Sequence, residues 1–203
     1  MIDSCVPERI YCWLEIYTEG YMKNLISGAI FSIVLSLFSI GAEGAEFAGG
    51  PNKTKVAVVE FTPGPNASVM TAEDKRQLQA SIAFSLFSSK KFDVVDVRNT
   101  RAASNGDLAA INGNSTSAAV KLGKQLGVAY VLTGTVAEYN KSGYGHSTLK
   151  VRLVEVATGK VKYSGEASGQ SSSPMSARAG TAEMMTKVLK PAIEKLTARL
   201  TSI

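Results

Sequence analysis

Apolar and polar positions follow two periods along this chain, and the period changes at short polar breaks. Lys55 to Phe61 (KVAVVEF) is a continuous apolar run with β-branched residues, which predicts a central strand covered on both faces. Thr62 to Met70 contains Pro63, Gly64, Pro65 and Asn66 and reads as a loop. Beyond it Leu78, Ile82 and Leu86 recur every fourth residue, with Ala83 and Phe87 beside them, so one helical face is apolar and packs on a core. Thr71 followed by Asp74 makes a capping-box-like start for that helix. Phe92 to Val97 (FDVVDV) predicts a second strand. Arg98 to Asn114 is polar and rich in Asn, Gly, Ala and Ser, and reads as loop or weak helix.

The second half of the chain is more regular. Ser115 or Thr116 caps a helix that buries Ala119, Leu122 and Leu126 and stops at Gly127. Val128 to Val136 predicts a third strand, whose central Gly134 marks a bulge or the close packing of another backbone. Thr148 to Val154 alternates Leu149, Val151 and Leu153 with Lys150 and Arg152, a strand with one wet face. Ala157 to Lys160 is a turn in which Gly159 supplies a positive φ, and Val161 and Tyr163 continue inward on the returning strand. A last helix is expected from Ser173-Pro174, with Met185, Leu189, Ala192, Leu196, Leu200 and Ile203 on one face and a kink or restart at Pro191. The order β-α-β-α-β-β-β-α predicts an α/β (α+β) domain: a mixed sheet of roughly five strands with helices packed on it.

Upstream of this domain, Leu25 to Ala42 is apolar, follows Met22 and Lys23, and ends in small residues. That is the pattern of a signal peptide over residues 22–45, cleaved near Ala42-Glu43-Gly44. The competing reading is a retained anchor, because about 18 apolar residues can span a bilayer. Residues 1–21 are too acidic for a signal n-region and read as an upstream extension, with Met22 as the start. Residues 46–54 form a flexible lead-in, and residues 55–203 a single domain.

Composition changes this picture in two ways. Both cysteines, Cys5 and Cys12, fall in the upstream extension, so an exported domain carries no disulfide, no thiolate metal site and no lipid-modified Cys; by sequence it is not a lipoprotein. From Glu46 onward there are 20 basic and 12 acidic residues, a net charge of +8, scattered rather than clustered. A soluble charged surface accounts for that balance, and attraction to an anionic envelope surface is the functional alternative. Nucleic acid is not expected without a basic-aromatic cluster.

Candidate chemistry is sparse. The single histidine, His146, has no second His or Cys to complete a metal set. No opposed carboxylate pair is legible, and no G-x-S-x-G elbow occurs. The expectation is a non-enzymatic protein with no catalytic, metal or cofactor residues. The segment with binding character is Tyr139 to His146, where Tyr139, Lys141, Tyr144 and His146 place aromatics beside a cation in a flexible connection. An ordinary solvated loop is the plain alternative. The Met184-Met185 face of the last helix could dock a partner, but core packing is its default meaning.

Several of these pieces together resemble the CsgG/HfaB-type envelope family, related in fold to the penicillin-binding-protein activator LpoB and the TolB N-terminal domain, itself like anticodon-binding domains. They are KVAVVEF, KKFDVVDVR, the run from Leu122-Gly123 through GVAYVLTGTV, and LKVRLVEVATGKVKYSGEASG. The resemblance implies a periplasmic, protein-binding component of envelope assembly or secretion, and is compatible with a homo-oligomer and with peripheral contact with the outer membrane. Two further roles follow from the relatives: an LpoB-like activator of a peptidoglycan synthase, or a subunit of an outer-membrane-associated ring. Only twelve residues separate Val136 from Leu149. Two membrane strands of about 9–11 residues each do not fit there, so a channel-forming hairpin is not expected.

Overall fold

The computed structural model describes residues 53–113, 115–176 and 178–203. The expected extension, signal segment and residues 46–52 lie outside them. Six strands form one mixed sheet in the order β3-β1-β4-β5-β6, with β2 also paired to β4. The strands are β1 (Thr54–Val58), β2 (Thr62–Asn66), β3 (Phe92–Val94), β4 (Tyr130–Asn140), β5 (His146–Glu155) and β6 (Val161–Gln170). β1 pairs in parallel with β3 and β4, while β4, β5 and β6 form an antiparallel meander. This is the expected mixed sheet with one strand more than predicted.

The additional strand is β2, which lies on residues read as loop. It runs parallel to β4 just beyond β1, with Thr62 opposite Thr135 and Asn66 opposite Glu138. Pro63 and Pro65 lack N–H donors, which a strand tolerates where one side stays unpaired. The interruption at Val59 to Phe61 is satisfied by side chains: Gln79 donates to the Val58 carbonyl at 2.8 Å, and Asn112 donates to the Glu60 carbonyl at 2.6 Å. Asn112 also accepts from the Gly134 N–H at 3.1 Å, so one amide ties both strands.

Helix α1 (Ala72–Ser88) has the complete capping box, with Thr71 and Asp74 each bonding the other's backbone N–H. Leu78, Ile82, Ala83 and Leu86 are buried as expected, but Phe87 is exposed, together with Phe84. The polar stretch after β3 forms α2 (Val97–Ser104), capped by Asp96, and α3 (Leu108–Asn112). β3 therefore ends at Val94, short of the expected Val97, because the Asp96 carboxylate accepts the Arg98 N–H and starts the helix. Helix α4 (Thr116–Leu126) is capped by Ser115 and ends at Gly127 with φ 63°, as its sequence predicts.

The tail departs further. No helix starts at Ser173-Pro174; α5 (Thr181–Met184) leads into a π-helical stretch, Met185–Leu189, then α6 (Lys190–Thr201). The irregularity expected at Pro191 takes this form. Pro191 offers no N–H, and its ring crowds the carbonyl four residues back, which is Lys187 inside the π stretch. The wider turn presents the Val188 carbonyl to β6, where it occupies the space that a Cβ on Gly169 would need.

Two cores result, one on each face of the sheet. The larger joins α1, the π stretch and α6 to Val56, Phe61, Leu132, Leu149, Val151 and Leu153. The smaller packs Ile111, Ala119 and Leu122 on Ala57, Val131 and Val154. Met184 is wholly buried in the larger core and Met185 packs at its border, so this pair is core material. Gly134 lies where the Phe61 ring and the Lys150 carbonyl leave no room for a Cβ, while the β-bulge falls between Val136 and Glu138. Val161, expected to point inward, is exposed at the start of β6. On the outer side of β6, Arg199 donates to the Glu166 carbonyl at 2.6 Å and Lys195 to the Ser168 carbonyl at 3.0 Å.

Candidate partner-binding surface

The four residues singled out in the Tyr139 to His146 segment separate into two pairs. β4 and β5 extend further than predicted, leaving only residues 141–145 as the connection between them. Tyr139 lies inside β4 and is almost fully buried. Lys141 follows directly, with its ammonium 5.4 Å from the Tyr139 ring centroid. It makes an ion pair with Asp74, Nζ to Oδ2, at 3.1 Å. Asp74 has no exposed surface. These three residues form an internal hub.

Burial by itself would raise the Asp74 pKa. The Thr181 hydroxyl, the Thr71 N–H, the Lys141 ammonium and the Thr71 hydroxyl outweigh it and hold the carboxyl at about 2. The carboxylate thus joins the start of α1 to the end of β4. Burial first, then the neighbouring Asp74 charge, push the Tyr139 hydroxyl far above its ordinary value, so it stays protonated. It sits beside the carboxylate without a well-formed hydrogen bond.

Tyr144 and His146 face outward. Tyr144 is 54% exposed at the tip of the connection. The tip is held from below: Ser142 N–H donates to the Asn140 side chain at 2.8 Å, Met175 N–H to the Gly143 carbonyl at 2.7 Å, and Ser171 N–H to the Gly145 carbonyl at 2.8 Å. Gly145 is pressed against Met175 and Val188, leaving no space for a side chain. The segment bracing the tip is itself anchored by Glu183, which accepts from the Ser176 hydroxyl at 2.6 Å, from the Ser176 N–H at 3.1 Å and from Lys187 at 2.9 Å. Those bonds lower the Glu183 pKa to about 2. Tyr144 is therefore an exposed aromatic on a braced support, which loses little conformational entropy on contact.

His146 opens β5 opposite Asn140 and Gln170. It lines a shallow cleft of about 470 Å³ with Glu138, Thr148, Ser168, Gln170 and Lys195. Glu138 accepts from the Thr148 hydroxyl at 2.8 Å. The cleft presents donors and acceptors from β4, β5 and β6 with the Lys195 ammonium of α6 beside them, a surface suited to recognising a polar protein face. Sequence reasoning missed its Glu138, Ser168 and Lys195, which come from three different elements. Among the described residues, no three His, Cys, Asp or Glu side chains cluster to hold a metal ion. No described helix is long and apolar enough to cross a membrane.

The solved structures most like this one include the hypothetical protein CT253 from Chlamydia trachomatis, 17% identical, with a TM-score of 0.53 over 73% of this chain and 96% of that one. The LpoB C-terminal domain from Salmonella enterica is 22% identical, with a TM-score of 0.42 over 58% and 82%. A PelC dodecamer from Paraburkholderia phytofirmans is 18% identical, with a TM-score of 0.46 over 71% and 88%. At these identities the likeness concerns the fold. No curated protein matches the chain. The family model for the peptidoglycan-synthase activator LpoB matches residues 53–168, which takes in all six strands and α1 through α4 apart from the last two residues of β6. This replaces the CsgG/HfaB assignment expected from the strand and turn motifs; the LpoB relation named beside it is the one that matches. More than half of the chain lies within that match, and the chain belongs to the LpoB family of peptidoglycan-synthase activators.

Proposed function

We propose that this protein acts in the periplasm as a non-enzymatic activator that binds a peptidoglycan synthase. The observation that carries the reading is the family match over residues 53–168, described as a peptidoglycan-synthase activator. The site geometry supports it: the most defined feature at the Tyr144 end is a braced aromatic beside a polar cleft, which is suited to contact and not to bond-making. In this reading Tyr144 and His146 touch the synthase, while Asp74, Lys141 and Tyr139 hold the connection in shape. Export follows from the apolar segment Leu25 to Ala42.

The test is glycan polymerisation by a purified bifunctional synthase, measured with and without this protein. The reading predicts a faster rate with the native chain and a reduced gain with Tyr144→Ala. Direct binding without any change in rate would assign a scaffold role instead, and absence of binding would remove the proposal.

A further inference from the structure

The end of the sheet opposite Tyr144 has a different character. A cleft of about 490 Å³ opens there, lined by Lys53, Lys90, Lys91, Tyr130, Leu200 and Ile203 among others. Aromatic side chains of α1 border its cationic rim. The Lys53 ammonium lies 5.9 Å from the Phe87 ring centroid. Phe84 is one turn back on the same helix, a neighbour at i, i+3. Phe84 is 71% exposed, Phe87 55% and Ile203 61%. Half of the large apolar side chains exposed among the described residues thus gather beside three lysines.

The lysines are not neutralised locally. Among the described residues none of Lys53, Lys90 and Lys91 takes part in an ion pair. Lys91 donates to the Thr201 carbonyl at the end of α6. Of the nearby acids, Asp93 stands opposite Lys55 across the strand pair, and Glu155 is engaged by Lys162 at 3.2 Å. A helix C-terminus favours a cation, which accounts for Lys90 and Lys91 beside α1. It does not account for Lys53, which comes from the strand side, or for the two bare phenylalanines.

The chain itself indicates what covers this face. Where the apolar stretch Leu25 to Ala42 is retained as a bilayer anchor, the alternative to its cleavage, it ends just before the described fold, which begins at Lys53, inside the patch. The eleven residues from Glu43 to Lys53 span at most about 38 Å when extended. We infer that Lys53, Lys90 and Lys91 with Phe84 and Phe87 form a docking surface for an anionic lipid bilayer, the lysines meeting headgroups and the phenylalanines entering the interface. The Tyr144 connection, at the far end of β4, then points away from the membrane by about 33 Å, the length of a strand of that size. This inference does not depend on the identity of the partner at Tyr144.

The test uses the full chain with Trp13→Phe and one reporter tryptophan, on vesicles of phosphatidylglycerol and phosphatidylcholine containing brominated lipid. Phe87→Trp is expected to shift to the blue and to be quenched, while Tyr144→Trp is not. Each lysine near an anionic surface contributes roughly fivefold to association, so Lys53→Gln/Lys90→Gln/Lys91→Gln loses on the order of a hundredfold in seated domains, and the Phe87→Trp quenching disappears. These changes are on the surface, and an unchanged circular dichroism spectrum verifies the fold. Equal quenching of both reporters, full quenching in the triple variant, equal quenching on pure phosphatidylcholine, or an unquenched Phe87→Trp would each overturn the inference. The last result, joined to cross-linking of this face to an acidic protein, would assign the patch to that protein.

Discussion

The Lys141 ammonium lies 3.1 Å from the Asp74 Oδ2 although 67 residues of chain separate them, and Asp74 itself has no exposed surface. This pair connects the capping box of α1 to the foot of the Tyr144 connection. The Asp74 pKa, held at about 2, is below the ordinary carboxylate value of about 3.9. A carboxyl depressed on folding stabilises the fold above its unfolded pKa, and that stabilisation is lost as pH falls from about 4 through about 2. Its size is on the order of 2 kcal/mol. Asp74→Asn should cost about 2–3 kcal/mol at neutral pH, by losing part of the cap and isolating Lys141. It should also make the acid limb of a urea-stability profile shallower. Glu183, lowered to about 2 as well, keeps some of that limb in place. An unchanged profile in the Asn variant would contradict the assignment.

Gly169 marks where the π stretch meets the sheet. The Val188 carbonyl fills the position of a Cβ, and backbone atoms cannot step aside as a flexible side chain could. Gly169→Ala is expected to cost about 2 kcal/mol or more, read as a lowered thermal midpoint. Gly106→Ala, where a Cβ meets open space, is the control and should stay within about 0.5 kcal/mol.

The open side of β6 is blunted by Lys195 and Arg199, which occupy the Ser168 and Glu166 carbonyls. A ten-residue edge strand without such cover is a template for pairing with another chain. Lys195→Ala/Arg199→Ala should therefore raise the apparent mass in light scattering at high protein concentration while the native chain is unchanged. Equal masses would show that these side chains do not guard the edge.

Most of the sheet was legible in sequence because its signals are local. The alternation of Leu149, Val151 and Leu153, the turn at Gly159 and the stop at Gly127 each need only neighbouring residues, and all are found where expected. β2 was not legible: Pro63 and Pro65 argue against a strand, and only the neighbouring β4, distant in sequence, makes them part of one. The tail misled for a related reason. Ser173-Pro174 is a good local helix start, yet residues there bond back to the Gly143 and Gly145 carbonyls instead. Of the candidate site, the exposed Tyr144 and the half-buried His146 could be named from composition. The inward turn of Tyr139 and Lys141 could not, because it depends on a buried Asp74 whose capping role is local and whose pairing is not.

Tyr144 is exposed and bears on the fold little, so Tyr144→Ala should leave stability within about 0.5 kcal/mol. As an aromatic anchor it should weaken synthase binding by about 2 kcal/mol, roughly thirtyfold, seen in titration calorimetry. His146→Ala should have a smaller effect in the same direction. A Tyr144→Ala variant that binds as the native chain does would move the contact elsewhere on the domain.

Activation of a peptidoglycan synthase is read from the initial rate of glycan-strand polymerisation by the purified synthase from the same cell. That rate should rise and saturate with added native protein, and rise much less with Tyr144→Ala at equal concentration. A rate that stays flat across the titration, with the synthase shown to be active alone, would contradict it.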